Sequence, residues 1–206
     1  DTQLEGRLSE IGPTLLRAHL PGVGLGELCV LPNDELAEVV GLNGPTALLS
    51  PYQEPLGLAC GMPVRPSGRR ADVAVGSALL GRVLDALGHP IDGLPALELQ
   101  TRRDIDADPP NPMERKAIHH PLSVGVRAID TTLTVGVGQR MGIFAPAGCG
   151  KSTLLGMLSA GCAADVVVLA LIGERGREVR EFLDNTLNAA TRERSVVVVA
   201  TSDRAN

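Results

Sequence analysis

Tryptophan is absent from this 206-residue chain, tyrosine occurs once (Tyr52) and phenylalanine twice (Phe144, Phe182). So few rings offer no platform on which successive bases could stack, which counts against single-stranded nucleic acid as a ligand. Excess positive charge is missing too. Lys and Arg number 19 against 24 Asp and Glu, a formal charge of −5, whereas a nucleic-acid surface wants a basic face. No apolar run is longer than Val166–Ile172, well short of the roughly 20 residues of a membrane span. The four cysteines (Cys29, Cys60, Cys149, Cys162) show no C-x-x-C spacing. They read as reduced cytosolic thiols rather than a disulfide or zinc framework. The sequence opens at Asp1 rather than Met, so an N-terminus further upstream is expected.

What is present is aliphatic. At 44% hydrophobic residues the chain can build an ample core, from Val, Leu, Ile and Ala. From residue 4 to about 66 the text reads as all-β. Thr14–Leu20, Glu27–Leu31, Leu36–Leu42 and Thr46–Leu49 are short runs set off by Gly12-Pro13, Pro21-Gly22, Pro32-Asn33-Asp34 and Asn43-Gly44-Pro45. Five or six strands in so little chain predict a small closed barrel, since closure removes exposed edges. His19 is expected to be an exposed strand residue without chemistry.

Gly61–Asp72 reads as a linker, its Arg65, Arg69 and Arg70 forming a solvated basic cluster. Val75–Leu84 is then apolar, and Gly88–Gly93 resembles a hairpin. Asp104, Asp106 and Asp108 precede Pro109, Pro110 and Pro112, which regular elements do not tolerate. The glycine and distal Glu of a calcium loop are missing there, so these aspartates read as the wet side of an ordered strap. His119-His120 reads as a loop pair, since neighbours on an extended chain point opposite ways.

The chain is organised around Ala145–Thr153, Ala-Pro-Ala-Gly-Cys-Gly-Lys-Ser-Thr, between the apolar runs Met141–Phe144 and Leu154–Leu158. Strand, small-residue loop and helix in that order are what phosphate binding requires. Glycines 148 and 150 let successive amides point inward, and the helix N-terminus adds its positive end. The expected cradle is Ala147, Gly148, Cys149, Gly150, Lys151, Ser152 and Thr153. Lys151 would reach the β/γ-phosphates and the Ser152 hydroxyl would ligate Mg²⁺. Ala145 stands where the pattern G-x-x-x-x-G-K-[ST] has its first glycine. Beyond the loop, a helix over Lys151–Ala160 and a strand over Val166–Ile172 are expected, the strand buried on both faces. A helix from Arg177 to about Ala190 and a strand over Ser195–Ala200 follow. This alternation predicts a doubly wound sheet with its site at the strands' carboxyl ends. Lys151 and Glu174 both fall just past such ends. Glu174 is placed to orient a water for attack on the γ-phosphate; the alternative is a surface ion pair with Arg175 or Arg177.

Several stretches resemble one family closely: Gly125-Val-Arg-Ala-Ile-Asp130, Gly138-Gln-Arg-Met-Gly-Ile-Phe-Ala145, the phosphate loop, and Ile172-Gly-Glu-Arg-Gly-Arg-Glu-Val-Arg-Glu-Phe182. Leu80–Asp85, Gly88–Gly93 and Val198–Arg204 add to the match. The family is that of the type III secretion ATPases, injectisome and flagellar export members together, related to the catalytic subunit of rotary ATP synthases. In it the first loop position is often Ala. The resemblance runs from about Leu4 to the last residue. It implies an N-terminal β-barrel (residues 1–70) followed by an α/β RecA-like P-loop NTPase core (71–206) that is incomplete at its C-terminal end. By the same carry-over Glu174 is the catalytic glutamate, Arg175 lies beside the γ-phosphate, and Lys151 is catalytic as well as phosphate-binding.

The implied activity is hydrolysis of Mg·ATP in a homohexameric ring, driving chaperone release, unfolding and export of secreted proteins. The implied partners are the stalk, stator and export-gate proteins and chaperone–effector complexes. The implied place is the cytoplasm, peripheral to the bacterial inner membrane without spanning it. The strand ending in the Walker B aspartate, the arginine that reaches a neighbour's site and the helical C-terminal domain are expected beyond Asn206. The 206 residues alone are therefore expected to hydrolyse ATP poorly. Two other readings share the core: a ring helicase or transcription terminator, disfavoured by the acidic balance, and a non-catalytic nucleotide-binding subunit, which should lack Glu174. Lys151–Leu155 and Gly26–Cys29 look closer to injectisome than to flagellar members.

Overall fold

The computed structural model of the chain describes residues 5–32, 34–146 and 148–202. Two compact units emerge. One holds the described residues of Asp1–Ala74 together with Thr101–Ala107, and the other those of Val75–Gln100 and Asp108–Asp203.

The first unit is the expected barrel. Six strands, β1 (Gly6–Ile11), β2 (Leu16–His19), β3 (Glu27–Val30), β4 (Leu36–Asn43), β5 (Thr46–Pro51) and β6 (Pro63–Arg70), close in the order β1-β2-β5-β4-β3-β6. Every pairing is antiparallel. Period-2 alternation sends Leu8, Leu16, Ala18, Val39, Ala47 and Leu49 inward, each at most 2% exposed. The turn from β4 to β5 needs Gly44, whose φ of 58° lies in the left-handed region. His19 is exposed, opposite Arg7 and Thr46.

The barrel corrects the linker expected over Gly61–Asp72. Most of it is β6, the strand that closes the ring against both β1 and β3. Val64 within it is fully buried. Glu27 staples the seam, its carboxylate accepting the Gly68 amide at 2.9 Å and the Gly24 amide at 3.0 Å. Of the arginine cluster, Arg65 stands 3.8 Å from Asp34.

Past the barrel come β7 (Asp72–Val75), β8 (Val83–Asp85) and β9 (Thr101–Asp104). β7 and β9 form a two-stranded ribbon clamped by Arg102, which donates to both carboxylate oxygens of Asp72 at 2.7 and 2.6 Å. Asp104, Asp106 and Asp108 are exposed.

The second unit contains β8, β10 (Pro121–Leu122), α1 (Arg127–Thr132), β11 (Val135–Gly136), α2 (Lys151–Gly161), β12 (Val167–Glu174), α3 (Gly176–Glu181), α4 (Ala189–Glu193) and β13 (Ser195–Thr201). β10 pairs with β11, so the His119-His120 pair lies in the exposed loop just before that ribbon. A parallel sheet runs in the order β12-β13-β8. Leu169, Leu171, Val197, Val199 and Val83 form its core with Val179, Phe182 and Leu187 of the helical segment, and Leu155 of α2 packs against them.

Four expectations are corrected here. Met141–Phe144 is extended but pairs with no strand among the described residues, and Phe144 is 96% exposed. An apolar run becomes a strand only where a sheet offers it an edge, and that depends on the rest of the fold. The strand at Val166–Ile172 is buried on one face rather than two. Leu169 and Leu171 are inside, whereas Val168 and Ile172 are each 69% exposed, because helical elements cover a single side. The sheet is accordingly not doubly wound among the described residues. The helix over 177–190 is broken: α3 passes into a π-turn over Phe182–Thr186, Leu187 is extended, and Asn188 starts α4 as its cap by accepting the Thr191 amide at 2.8 Å. The apolar stretch Val75–Leu84 overlaps two strands, ending β7 at Val75 and starting the core strand β8 at Val83.

Candidate active site

Glycine builds the loop. Gly148 (φ 78°) and Gly150 (φ 82°) both adopt left-handed backbone, which a side chain would resist, and Gly150 is the residue from which α2 departs. The first three amides of α2, from Lys151, Ser152 and Thr153, have no intrahelical acceptor by the geometry of any helix start. They carry the helix's partial positive charge toward the loop. Lys151 lies across it, Nζ donating to the Ala145 carbonyl at 2.8 Å. Gly148, Cys149, Gly150, Lys151, Ser152 and Thr153 are all exposed, and Ala147 lies outside the described residues.

A second glycine aims the carboxylate. At Gly173 (φ 74°) the register of β12 on β13 slips between Ile172 and Glu174, so Glu174 leaves the strand through a bulge. Its carbonyl accepts the Ser202 amide at 3.0 Å. Ser152 and Glu174 line one narrow cleft of about 30 Å³, room for a water molecule. Leu155, Leu171, Val179 and Phe182 give it apolar walls, and Glu178 adds a third oxygen-bearing side chain.

Glu178 is the residue that sequence reasoning missed. It sits in the first turn of α3 among alternating charges and looks like a solvated face; only the burial of Val179 and Phe182 on the sheet brings it to the cleft. Arg175 does not line the cleft. It is exposed, with its guanidinium 3.8 Å from Glu178. No ion pair joins Glu174 to Arg175 or Arg177 among the described residues. The hydroxyl and two carboxylates that line this cleft are hard oxygen donors, which suit Mg²⁺ better than a soft metal.

Residues 125–206 match the nucleotide-binding domain of the ATP synthase alpha/beta family. The chain is 56% identical over 200 residues to the SPI-2 type 3 secretion system ATPase of Salmonella typhimurium, covering 97% of this chain and 46% of that protein. It is 43% identical over 205 residues to the flagellum-specific ATP synthase of Bacillus subtilis, covering 97% and 47%. The assembled ATPase EscN of enteropathogenic E. coli superposes with a TM-score of 0.90 at 45% identity, over 97% of this chain and 49% of that one. The same ATPase, solved in complex with its central stalk EscO, superposes at 0.87. The chain thus spans about half the length of the curated relatives it matches. Identity of this order along nearly the whole sequence, on a barrel followed by a RecA-like nucleotide-binding fold, makes the chain a member of the type III secretion ATPase family.

Proposed function

We propose that this chain carries the ATP-binding portion of a type III secretion ATPase, residues 1–70 forming the barrel domain and 71–206 part of the catalytic domain. The observation that carries the reading is that Ser152, at the start of the loop helix, and Glu174, at the end of a core strand, line one cleft. The amides of Ala147–Thr153 would cradle the phosphates, with Lys151 as their cation. Ser152 would hold Mg²⁺, which when bound neutralises charge on the phosphate oxygens. Glu174 would accept a hydrogen bond from the attacking water and hold it in line, with Arg175 beside the γ-phosphate.

The whole protein would work as a homohexamer that hydrolyses ATP to release chaperones and to unfold and export secreted proteins. It would engage stalk, stator, export-gate and chaperone–effector partners from the cytoplasmic side, peripheral to the inner membrane. No helix among the described residues is long and apolar enough to cross a membrane. An injectisome role is preferred over flagellar export because identity is 56% to the SPI-2 ATPase against 43% to the flagellar one.

Glu174→Gln in the intact protein tests the assignment. Loss of the group that holds the water should act on turnover rather than ground-state binding, lowering kcat at least about 100-fold with ATP affinity kept. Near-normal turnover would leave Glu174 without a catalytic role.

A further inference from the structure

We propose that Arg194 is a positioning residue: from the end opposite the cleft, it fixes the phosphate-loop helix and the Glu174 strand relative to one another. The inference rests on the ATPase reading above.

Arg194 is the residue between α4 and β13, half-buried, and it holds two elements with two different parts of itself. Its main-chain carbonyl accepts the amide of Val167, the first residue of β12, at 3.0 Å. Its guanidinium gathers the far end of α2. Nη2 donates to the carbonyls of Ser159 at 2.9 Å, Ala160 at 3.2 Å and Cys162 at 3.2 Å, and Nη1 donates to Ala164. The last carbonyls of a helix have no partners within it, and a cation there also faces the negative end of the dipole. A planar fork suits several carbonyls at once, which a single ammonium does not.

The opposite ends of the same two elements carry the site. Lys151 and Ser152 begin α2, and Glu174 ends β12. An 11-residue helix is about 16 Å long, so Arg194 acts on a nucleotide at the loop through position alone. Two further restraints on α2 are lateral. A Cβ at Gly156 would overlap Thr186, and one at Gly161 would overlap the backbone of Gly125, so the helix lies flush against both neighbours. Such contacts resist separation better than sliding. The carbonyl cap resists sliding, and the distance from phosphate loop to Glu174 depends on it.

The test is steady-state ATP hydrolysis and binding of a fluorescent ATP analogue by the intact protein, for Arg194→Ala, Arg194→Lys and the nearby control Arg192→Ala. The cradle is local to its loop, so Arg194→Ala should keep nucleotide affinity within about threefold while kcat falls about 10- to 100-fold, the penalty of a carboxylate misplaced by about 1 Å. Arg194→Lys, able to cap fewer carbonyls, should fall between, again with affinity kept, and it decides the matter if the alanine variant fails to fold. Arg192→Ala should match wild type. Unchanged kcat in Arg194→Ala, or affinity and kcat lost together in Arg194→Lys, would overturn the positioning role. A wild-type protein without Mg·ATP turnover would instead remove the ATPase reading itself.

Discussion

Arg82 and Asp92 meet side by side, Nε donating to Oδ2 at 2.7 Å and Nη2 to Oδ1 at 2.9 Å, with both side chains at most 10% exposed. Asp92 also accepts the amides of Val83 and Leu94, and Arg82 donates to the Pro95 carbonyl, so the pair braces the edge strand β8.

The Arg82 guanidinium, with those two amides, holds the Asp92 carboxyl far below the usual carboxylate range. A depressed folded-state value gives stability that is fully present above the unfolded value of about 3.9 and is lost as pH falls toward the folded one. Asp92→Asn leaves Arg82 unpaired and is expected to lower Tm by roughly 5–10 °C at pH 7. Between pH 4 and pH 2, wild-type Tm followed by circular dichroism should fall more steeply than that of Asp92→Asn.

Lys151→Ala should weaken ATP binding at least about tenfold, because the phosphates lose a direct cation. The side chain is exposed, so Tm should stay close to wild type. Calorimetry on the intact protein checks both; unchanged affinity would show that the loop is no phosphate cradle.

Leu16 is fully buried inside the barrel and Leu56 is 75% exposed. Leu16→Ala should destabilise the barrel by about 3 kcal/mol and Leu56→Ala by less than about 0.5 kcal/mol, read from urea denaturation midpoints.

Cys149 and Cys60 are exposed and Cys162 half-buried, while burial pushes the Cys29 thiol up to about 12. Maleimide should therefore modify Cys149 and Cys60 well before Cys29. Bound ATP or ADP should shield Cys149 and leave Cys60 unaffected, and Cys149→Ala should keep nucleotide binding. Peptide mapping by mass spectrometry reads all four positions.

The sequence disclosed features written locally. Turn residues marked the barrel strands, and the glycine-rich loop with its lysine and the glutamate after an apolar run marked the candidate site. What stayed hidden depends on partners distant in the chain. Pro63, Pro66 and Gly68 give β6 the composition of a linker, yet pairing with β1 and β3 buries Val64 completely. Val83–Asp85 is too short to show a period, and only β13 makes it a strand. Arg194, third in Arg192-Glu193-Arg194, has the look of a charge run, and its carbonyl partners lie 30 to 35 residues away.

Among the described residues β12 stands at the end of its sheet, with Val168 and Ile172 bare on one face and no charge from Val166 to Ile172. Its outer row of amides and carbonyls is a template for another extended segment, and the run has the β-rich, uncharged character of cross-β stacks. Copies of this chain held at high concentration are therefore expected to associate through the strand that delivers Glu174, which thioflavin T fluorescence would read.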